Sequence, residues 1–368
     1  MAITADQRSE FSSFYHSLMR QLGDEGSAFV VFQDGRCVIN LVSGESSPGL
    51  AWCEDTKVIC YSACKGALAM AIAKLVAKTE LSYRDPLGKW LPIPKDKPLA
   101  LSSVGQLMSH CSGFVAFHEK VDGELIYDYD AICRLTLNES PWFSGKTLAY
   151  SPFLWGWLVS QLIEAVTGEC FTHSVAGINY GAPSETEQLA TLAPNLAPLK
   201  SYREHSLKRQ LGPNGDPMTR SAFMNPSTLM VGHNQSSWTS AMVPAASGRA
   251  SAFGLAAAYS DFLRSIQKDD PVSPATTVAQ GICQTTQTPM AFSYGFMRPQ
   301  GTIDTQFGSL SGGFGHSGAG GSFAFADITH GLAVAYVTRS LGQAMFLDQR
   351  GVELVTRLYS LLEIDDEL

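Results

Sequence analysis

Ser62-Ala63-Cys64-Lys65-Gly66-Ala67-Leu68-Ala69-Met70-Ala71-Ile72-Ala73 is an almost wholly apolar run with a serine at its head and a lysine one turn in. Nothing in the run calls for a cation, and a buried lysine is rare unless it is paired or working. The pattern predicts a helix starting near Ser62 and ending near Lys78. Residues three apart share one helix face, so hydroxyl and amine can meet. Desolvation lowers a lysine pKa until the amine can accept a serine proton. The helix N-terminus adds a positive field and free N–H groups where an oxyanion would form. The competing reading is an N-cap serine with a snorkelling lysine behind it. Ser265-Ile266-Gln267-Lys268 has the same spacing, but it runs into Asp269-Asp270-Pro271 and reads as a solvated helix end.

Upstream of this helix, residues 28–42 read as a β-hairpin: strand-like runs flank Gln33-Asp34-Gly35-Arg36, and Asp-Gly is a strong turn signal. Downstream, Pro86, Pro92, Pro94 and Pro98 mark an irregular crossover. Ser102 or Ser103 is expected to cap a helix through Gln106-Leu107-Met108 that stops at Gly113. Residues 171–250, with weak periodicity and a short basic cluster at Lys208-Arg209, read as helical and loop-rich. Regular signals resume with a helix over Ser251–Ile266, strands at Ser322–Ala326 and Gly331–Thr338, and a closing helix at Leu347–Leu362. One sheet built from the two chain ends, with residues 1–85 and 285–368 forming an α/β part and 86–284 a helical part, is the expected organisation.

The chain has 368 residues, 45% of them hydrophobic, enough for a large core. A net charge of −8 argues against nucleic-acid or anionic-membrane partners. No run approaches the length of a spanning helix, and the first ten residues lack a signal-peptide core. Asp365-Asp366-Glu367-Leu368 reads as a frayed acidic end. The eight cysteines are scattered with no C-x-x-C pair, which fits reduced thiols and a cytoplasmic protein. Cys64 points off the face shared by Ser62 and Lys65, so it ranks below Ser62 as a nucleophile. No H-E-x-x-H or G-x-S-x-G occurs, and Pro141 breaks the strand that a P-loop at Gly145-Lys146-Thr147 would need.

Two further stretches carry chemistry. In Tyr150-Ser151-Pro152, proline fits a helix N1 position and Ser151 an N-cap, with the helix Phe153–Val166 ending at Gly168. Tyr150 then sits before a helix, where a phenolate polarised by a lysine could relay protons; a core tyrosine with a satisfied hydroxyl is the alternative. Gly312-Gly313-Phe314-Gly315-His316-Ser317-Gly318-Ala319-Gly320-Gly321-Ser322 leads into a strand, and its glycines permit close backbone approach to a ligand.

In this order, Ser62-x-x-Lys65, Tyr150-Ser151-Pro152 and His316-Ser317-Gly318 resemble the S-x-x-K, Y-x-N and K-T-G triplet of serine β-lactamases and penicillin-binding proteins. The closer resemblance is to the β-lactamase-like family VIII carboxylesterases. It is carried by Leu107–Gly113, by Tyr150–Gly168, by Pro244-Ala245-Ala246-Ser247-Gly248 and by Gly315–Asp327, and covers about Ala28 to Leu341. The resemblance implies an α/β (α+β type) fold: a mainly antiparallel sheet flanked by helices, plus a helical domain, with the site between them. It implies Ser62 as acylated nucleophile, Lys65 as its activator and Tyr150 as partner in proton transfer. The oxyanion hole would be the N–H groups of Ser62 and Ala319, with His316, Ser317 and Gly318 along the same edge. No cofactor and no metal are expected, and the implied partner is a small-molecule ester. Two departures bear on substrate: Pro152 stands where Y-x-N has asparagine, and His316 where K-T-G has lysine. Loss of that fixed cation favours uncharged esters over carboxylate-bearing lactams. Acyl transfer (transesterase action) and β-lactam opening are the alternatives.

Overall fold

The computed structural model describes residues 3–202, 210–266 and 273–364. The Lys208-Arg209 cluster, Lys268 of the second S-x-x-K and the acidic Asp365–Leu368 end lie outside them.

The hairpin forms as its sequence predicts. Strands Gly26–Gln33 and Arg36–Ser47 pair antiparallel around a turn in which Asp34 (φ 49°) and Gly35 (φ 81°) are both left-handed, the geometry that matches strand twist and favours Asp-Gly. Strands Gly313–Ser317, Phe323–Asp327 and Leu332–Thr338 form an antiparallel meander, and Leu332–Thr338 pairs with Gly26–Gln33. With Leu50–Ala51 at the other edge, both chain ends build one six-stranded sheet.

Every residue of Gly26–Gln33 and Leu332–Thr338 is buried, because both faces of the sheet are covered and the strands read as continuous apolar runs. On one face Phe29, Val31, Phe325, Val334 and Tyr336 meet Phe11, Tyr15, Leu354 and Leu358 from two helices, Ala5–Gln21 and Gln349–Leu361. On the other, Ala28, Val30, Ala324, Ala326, Ala333 and Ala335 meet the helices Lys65–Lys78 and Ala252–Ser265. The small alanines let those helices lie close to the sheet. The helices also crowd each other: a Cβ on Gly66 would fall 1.8 Å from the Tyr259 hydroxyl oxygen.

Between the two contributions to the sheet runs a helical and loop-rich stretch. Its helix Leu154–Thr167 packs on Lys65–Lys78 and ends at left-handed Gly168. No helix among the described residues is long and apolar enough to cross a membrane.

Four local expectations need correction. The helix Ala5–Gln21, closed by a Thr4–Gln7 capping box, was not expected. The helix capped by Ser103 ends at Met108 instead of Gly113, because His110 (φ 57°) and Gly113 (φ 84°) turn the chain away. The helix after Tyr150 begins at Leu154, so Pro152 is not at N1, although the Ser151 hydroxyl does accept from the Trp155 N–H at 3.0 Å. Half of the glycine-rich stretch is itself a strand, Gly313–Ser317, and the turn is confined to Gly318–Ser322.

Candidate active site

Ser62 lies in a 3-10 turn, Tyr61–Cys64, that runs into the helix Lys65–Lys78. The chain arrives from Val58–Ile59, a strand paired with Arg249–Ala250, and reverses at Tyr61, whose φ of 46° is unusual for a bulky residue. Tyr61 is held there by His233. The Nε2–H of His233 donates to the Leu229 carbonyl at 3.1 Å, so its Nδ1 accepts from the Tyr61 hydroxyl at 2.7 Å. This left-handed tyrosine beside the serine has no sequence signal.

Lys65 is fully buried and its Nζ lies 2.8 Å from Ser62 Oγ, 2.8 Å from the Pro152 carbonyl and 3.2 Å from the Ala245 carbonyl. Among the described residues no carboxylate is ion-paired with it. Burial lowers its pKa from 10.5 to about 7, with a small opposing contribution from Cys64. The three contacts then assign themselves. Two carbonyls can only accept, which uses both N–H groups of a neutral amine and leaves its lone pair facing the serine hydroxyl. Ser62 in turn accepts from the Tyr150 hydroxyl at 2.9 Å. With the amine neutral the contacts form a proton wire, Tyr150 O–H to Ser62 Oγ and Ser62 O–H to Lys65 Nζ; with it protonated, Lys65 donates to Ser62 Oγ instead.

Tyr150 is buried and its ring lies 5.1 Å from Lys65 Nζ. Burial pushes its pKa well above the ordinary value, more than the Ser62 hydrogen bond lowers it. The expected phenolate is therefore corrected to a neutral phenol, a donor to Ser62. His110 packs on the Tyr150 ring at 4.8 Å, and its Nδ1 accepts from the Ser151 N–H at 3.2 Å. Cys283 Sγ accepts from the Tyr150 N–H at 3.2 Å. Cys64 is not part of the wire: its thiol bonds the Tyr61 carbonyl at 2.7 Å, and burial raises its pKa.

The strand Gly313–Ser317 ends against the turn that carries Ser62. A Cβ on Gly318 would fall 2.1 Å from the Cys60 carbonyl oxygen and 3.2 Å from the Ala63 nitrogen, so only glycine fits. The next residue, Ala319, is exposed. His316 is buried, with Nδ1 bonded to the Ser317 carbonyl at 2.7 Å, which places the proton on Nδ1. Burial, aided by Lys65, lowers its pKa to about 3, so it is neutral. The Ser317 hydroxyl is engaged by the Met345 carbonyl at 2.7 Å. Among the described residues no group of three His, Cys, Asp or Glu could hold a metal ion, and all eight cysteines are free.

Ser62, Lys65 and Tyr150 thus meet, and the His316–Gly318 edge closes on the same turn. The profile of the family described as Beta-lactamase matches residues 15–356. The chain belongs to the beta-lactamase family. This beta-lactamase-family protein is 24% identical over 351 residues to the esterase/beta-lactamase LipL of Mycobacterium tuberculosis, a match covering 89% of this chain and 80% of LipL. A penicillin-binding protein homolog from Caulobacter crescentus superposes with a TM-score of 0.84 at 23% identity, covering 98% of this chain and 99% of that one. A family VIII carboxylesterase superposes at 0.82 with 21% identity, covering 98% and 99%. At these identities the structural neighbours show the fold.

Two contributors to the site have no signature of residue type. The carbonyls of Pro152 and Ala245 orient Lys65, and any residue could supply them. Ala245 lies in a stretch whose pattern is legible (Pro244–Gly248), but its role is carried by the main chain.

Proposed function

We propose that this protein is a serine hydrolase that cleaves small, uncharged carboxylic esters through an acyl-enzyme on Ser62. The observation that carries the reading is the proton wire, with a lysine whose two donors are occupied by carbonyls and whose lone pair faces the serine. Ser62 Oγ attacks the ester carbonyl while its proton moves to Lys65 Nζ. The developing oxyanion is held by the N–H groups of Ser62 and Ala319. Collapse breaks the C–O bond, and the departing alkoxide takes a proton from the Tyr150–Lys65 pair. Water then repeats the sequence on the acyl-enzyme and restores the serine.

The preference for uncharged esters follows from His316. A neutral imidazole with its proton committed to the Ser317 carbonyl offers no cation to a substrate carboxylate, and Pro152 offers no side-chain amide. Ester cleavage fits the names of two relatives, an esterase/beta-lactamase and a family VIII carboxylesterase.

The test is hydrolysis of p-nitrophenyl butyrate and of nitrocefin, side by side, by the wild type and Ser62→Ala. Ester cleavage that Ser62→Ala abolishes, with slow nitrocefin opening, is expected. Lys65→Ala and Tyr150→Phe should each lower kcat/KM by at least about a hundredfold, the usual scale for general acid–base groups, while Ser265→Ala changes nothing. Efficient nitrocefin opening would make the protein a β-lactamase. Slow turnover with Ser62 still acylated, relieved by an added alcohol, would make it an acyltransferase. Retention of most activity by Ser62→Ala would remove the reading.

A further inference from the structure

Arg350, in the first turn of the C-terminal helix, is completely buried yet takes no part in the proton wire. Its Nη2 donates to the Gly320 carbonyl at 2.8 Å and to Asp348 Oδ2 at 2.5 Å. Its Nη1 donates to Asp24 Oδ2 at 2.8 Å and to the Ser340 carbonyl at 2.6 Å. Asp24 Oδ2 also accepts from the hydroxyls of Tyr336 and Thr338, each at 2.7 Å. One guanidinium therefore joins both chain ends to the turn that follows the strand Gly313–Ser317.

The turn is held with little freedom. The Gly320 carbonyl receives a second donor, the Gly342 N–H at 2.8 Å. Gly321 has φ 120°, and a Cβ there would fall 2.4 Å from Arg350 Nη2 and 2.6 Å from Asp348 Oδ2. At the other end Gly318 is wedged against Cys60, and its N–H is bonded to the Ser322 carbonyl at 2.7 Å. Ala319 is the residue between these two pinned points. The Gly320 carbonyl shares its peptide plane with the Gly321 N–H, which donates to the Gly318 carbonyl at 3.3 Å, and that carbonyl shares its plane with the Ala319 N–H, so holding the first plane orients the second.

A buried ion cluster of this kind is a poor source of stability, because desolvating three charges offsets most of their attraction. What it supplies is one conformation of the chain it touches. We infer that Arg350 is a positioning residue for the reaction: acting through the Gly320 carbonyl, it aims the Ala319 N–H at the oxygen that becomes negative when Ser62 attacks. This inference rests on the acyl-enzyme reading above. Such a group stabilises the transition state more than the bound ester, so its removal falls on kcat.

The experiment measures kcat and KM for p-nitrophenyl butyrate, the inhibition constant of phenylboronic acid, and thermal melting, for the wild type, Arg350→Met and Arg350→Lys. Boronate adds to a serine hydroxyl as a tetrahedral species with an oxygen in the oxyanion position, so it reports the aim of the N–H. A folded Arg350→Met should lose about 10- to 100-fold in kcat, the scale of weakening an oxyanion donor, with KM changed less than about threefold. Its boronate inhibition constant should rise by the factor by which kcat/KM falls. Arg350→Lys, which keeps a charge between the aspartates but cannot span both aspartates and the carbonyl as a fork, should lie between. Should Arg350→Met fail to fold, Arg350→Lys carries the same readouts. A folded variant with unchanged kcat and boronate affinity overturns the inference, as does a loss confined to KM or to melting temperature. Ester cleavage that survives Ser62→Ala, or phenylboronic acid binding by titration that Ser62→Ala leaves unchanged, would instead overturn the underlying acyl-enzyme reading.

Discussion

At the scale of single residues, the proposed mechanism depends on a lysine that is neutral when it works. Its pKa is depressed to about 7, so the amine is protonated below that pH and free to accept the serine proton above it. Tyr150 shifts the other way, kept protonated by burial, and His316 is already neutral far below the working range. The pH profile of kcat/KM for an uncharged ester is therefore expected to climb through about pH 7 and level off above it. A profile already flat at pH 5 would assign the base to another group. The spacing of Ser62 and Lys65 is legible in the sequence because it depends only on helix geometry. Which way the protons point is not legible, since that is decided by the carbonyls of Pro152 and Ala245, some ninety and a hundred and eighty positions away. Tyr150 is legible as a candidate, but its protonation state depends on how deeply the fold buries it.

At the scale of elements, the helix Leu154–Thr167 couples the helical part to the lysine. Gly156 faces Ala245 so closely that a Cβ would sit 2.6 Å from both the nitrogen and the Cβ of Ala245. That contact sets the place of the Ala245 carbonyl that Lys65 bonds. Gly156→Val should lower stability by about 1–3 kcal/mol, the usual cost of overpacking, and lower kcat/KM with it. Melting and turnover measured on one preparation check this, and a variant with both unchanged would show that the helix does not set the carbonyl. Type and approximate extent of the long elements are readable here because Gly168 and Ser251 carry local signals, whereas for the short helix capped by Ser103 only the start is readable. The start of the Leu154–Thr167 helix is misread because Pro152 suits N1 in isolation, while the tertiary bond from Lys65 holds its carbonyl outside the helix.

At the scale of the whole molecule, the sheet assembled from both chain ends is legible from its hairpin and its closing strands. The helix Ala5–Gln21 is harder to see, since its buried positions Phe11, Tyr15, Leu18 and Met19 are diluted by Ser9, Ser12, Ser13 and Ser17. Its partner face on the sheet exists only once residues 313–338 have folded back. Around Ser62 this fold leaves a neutral lysine above pH 7, a neutral phenol and a neutral imidazole. The uncharged ester proposed as substrate is thus expected to reach Ser62 by unguided diffusion, with no field for dissolved ions to screen. Its kcat/KM at pH 8 should stay within about twofold between roughly 20 and 500 mM sodium chloride, a range that shortens the Debye length severalfold. Steep salt dependence would reveal a charged approach to the serine, whereas indifference to ionic strength is the outcome expected when the lysine beside Ser62 is buried without a counter-ion.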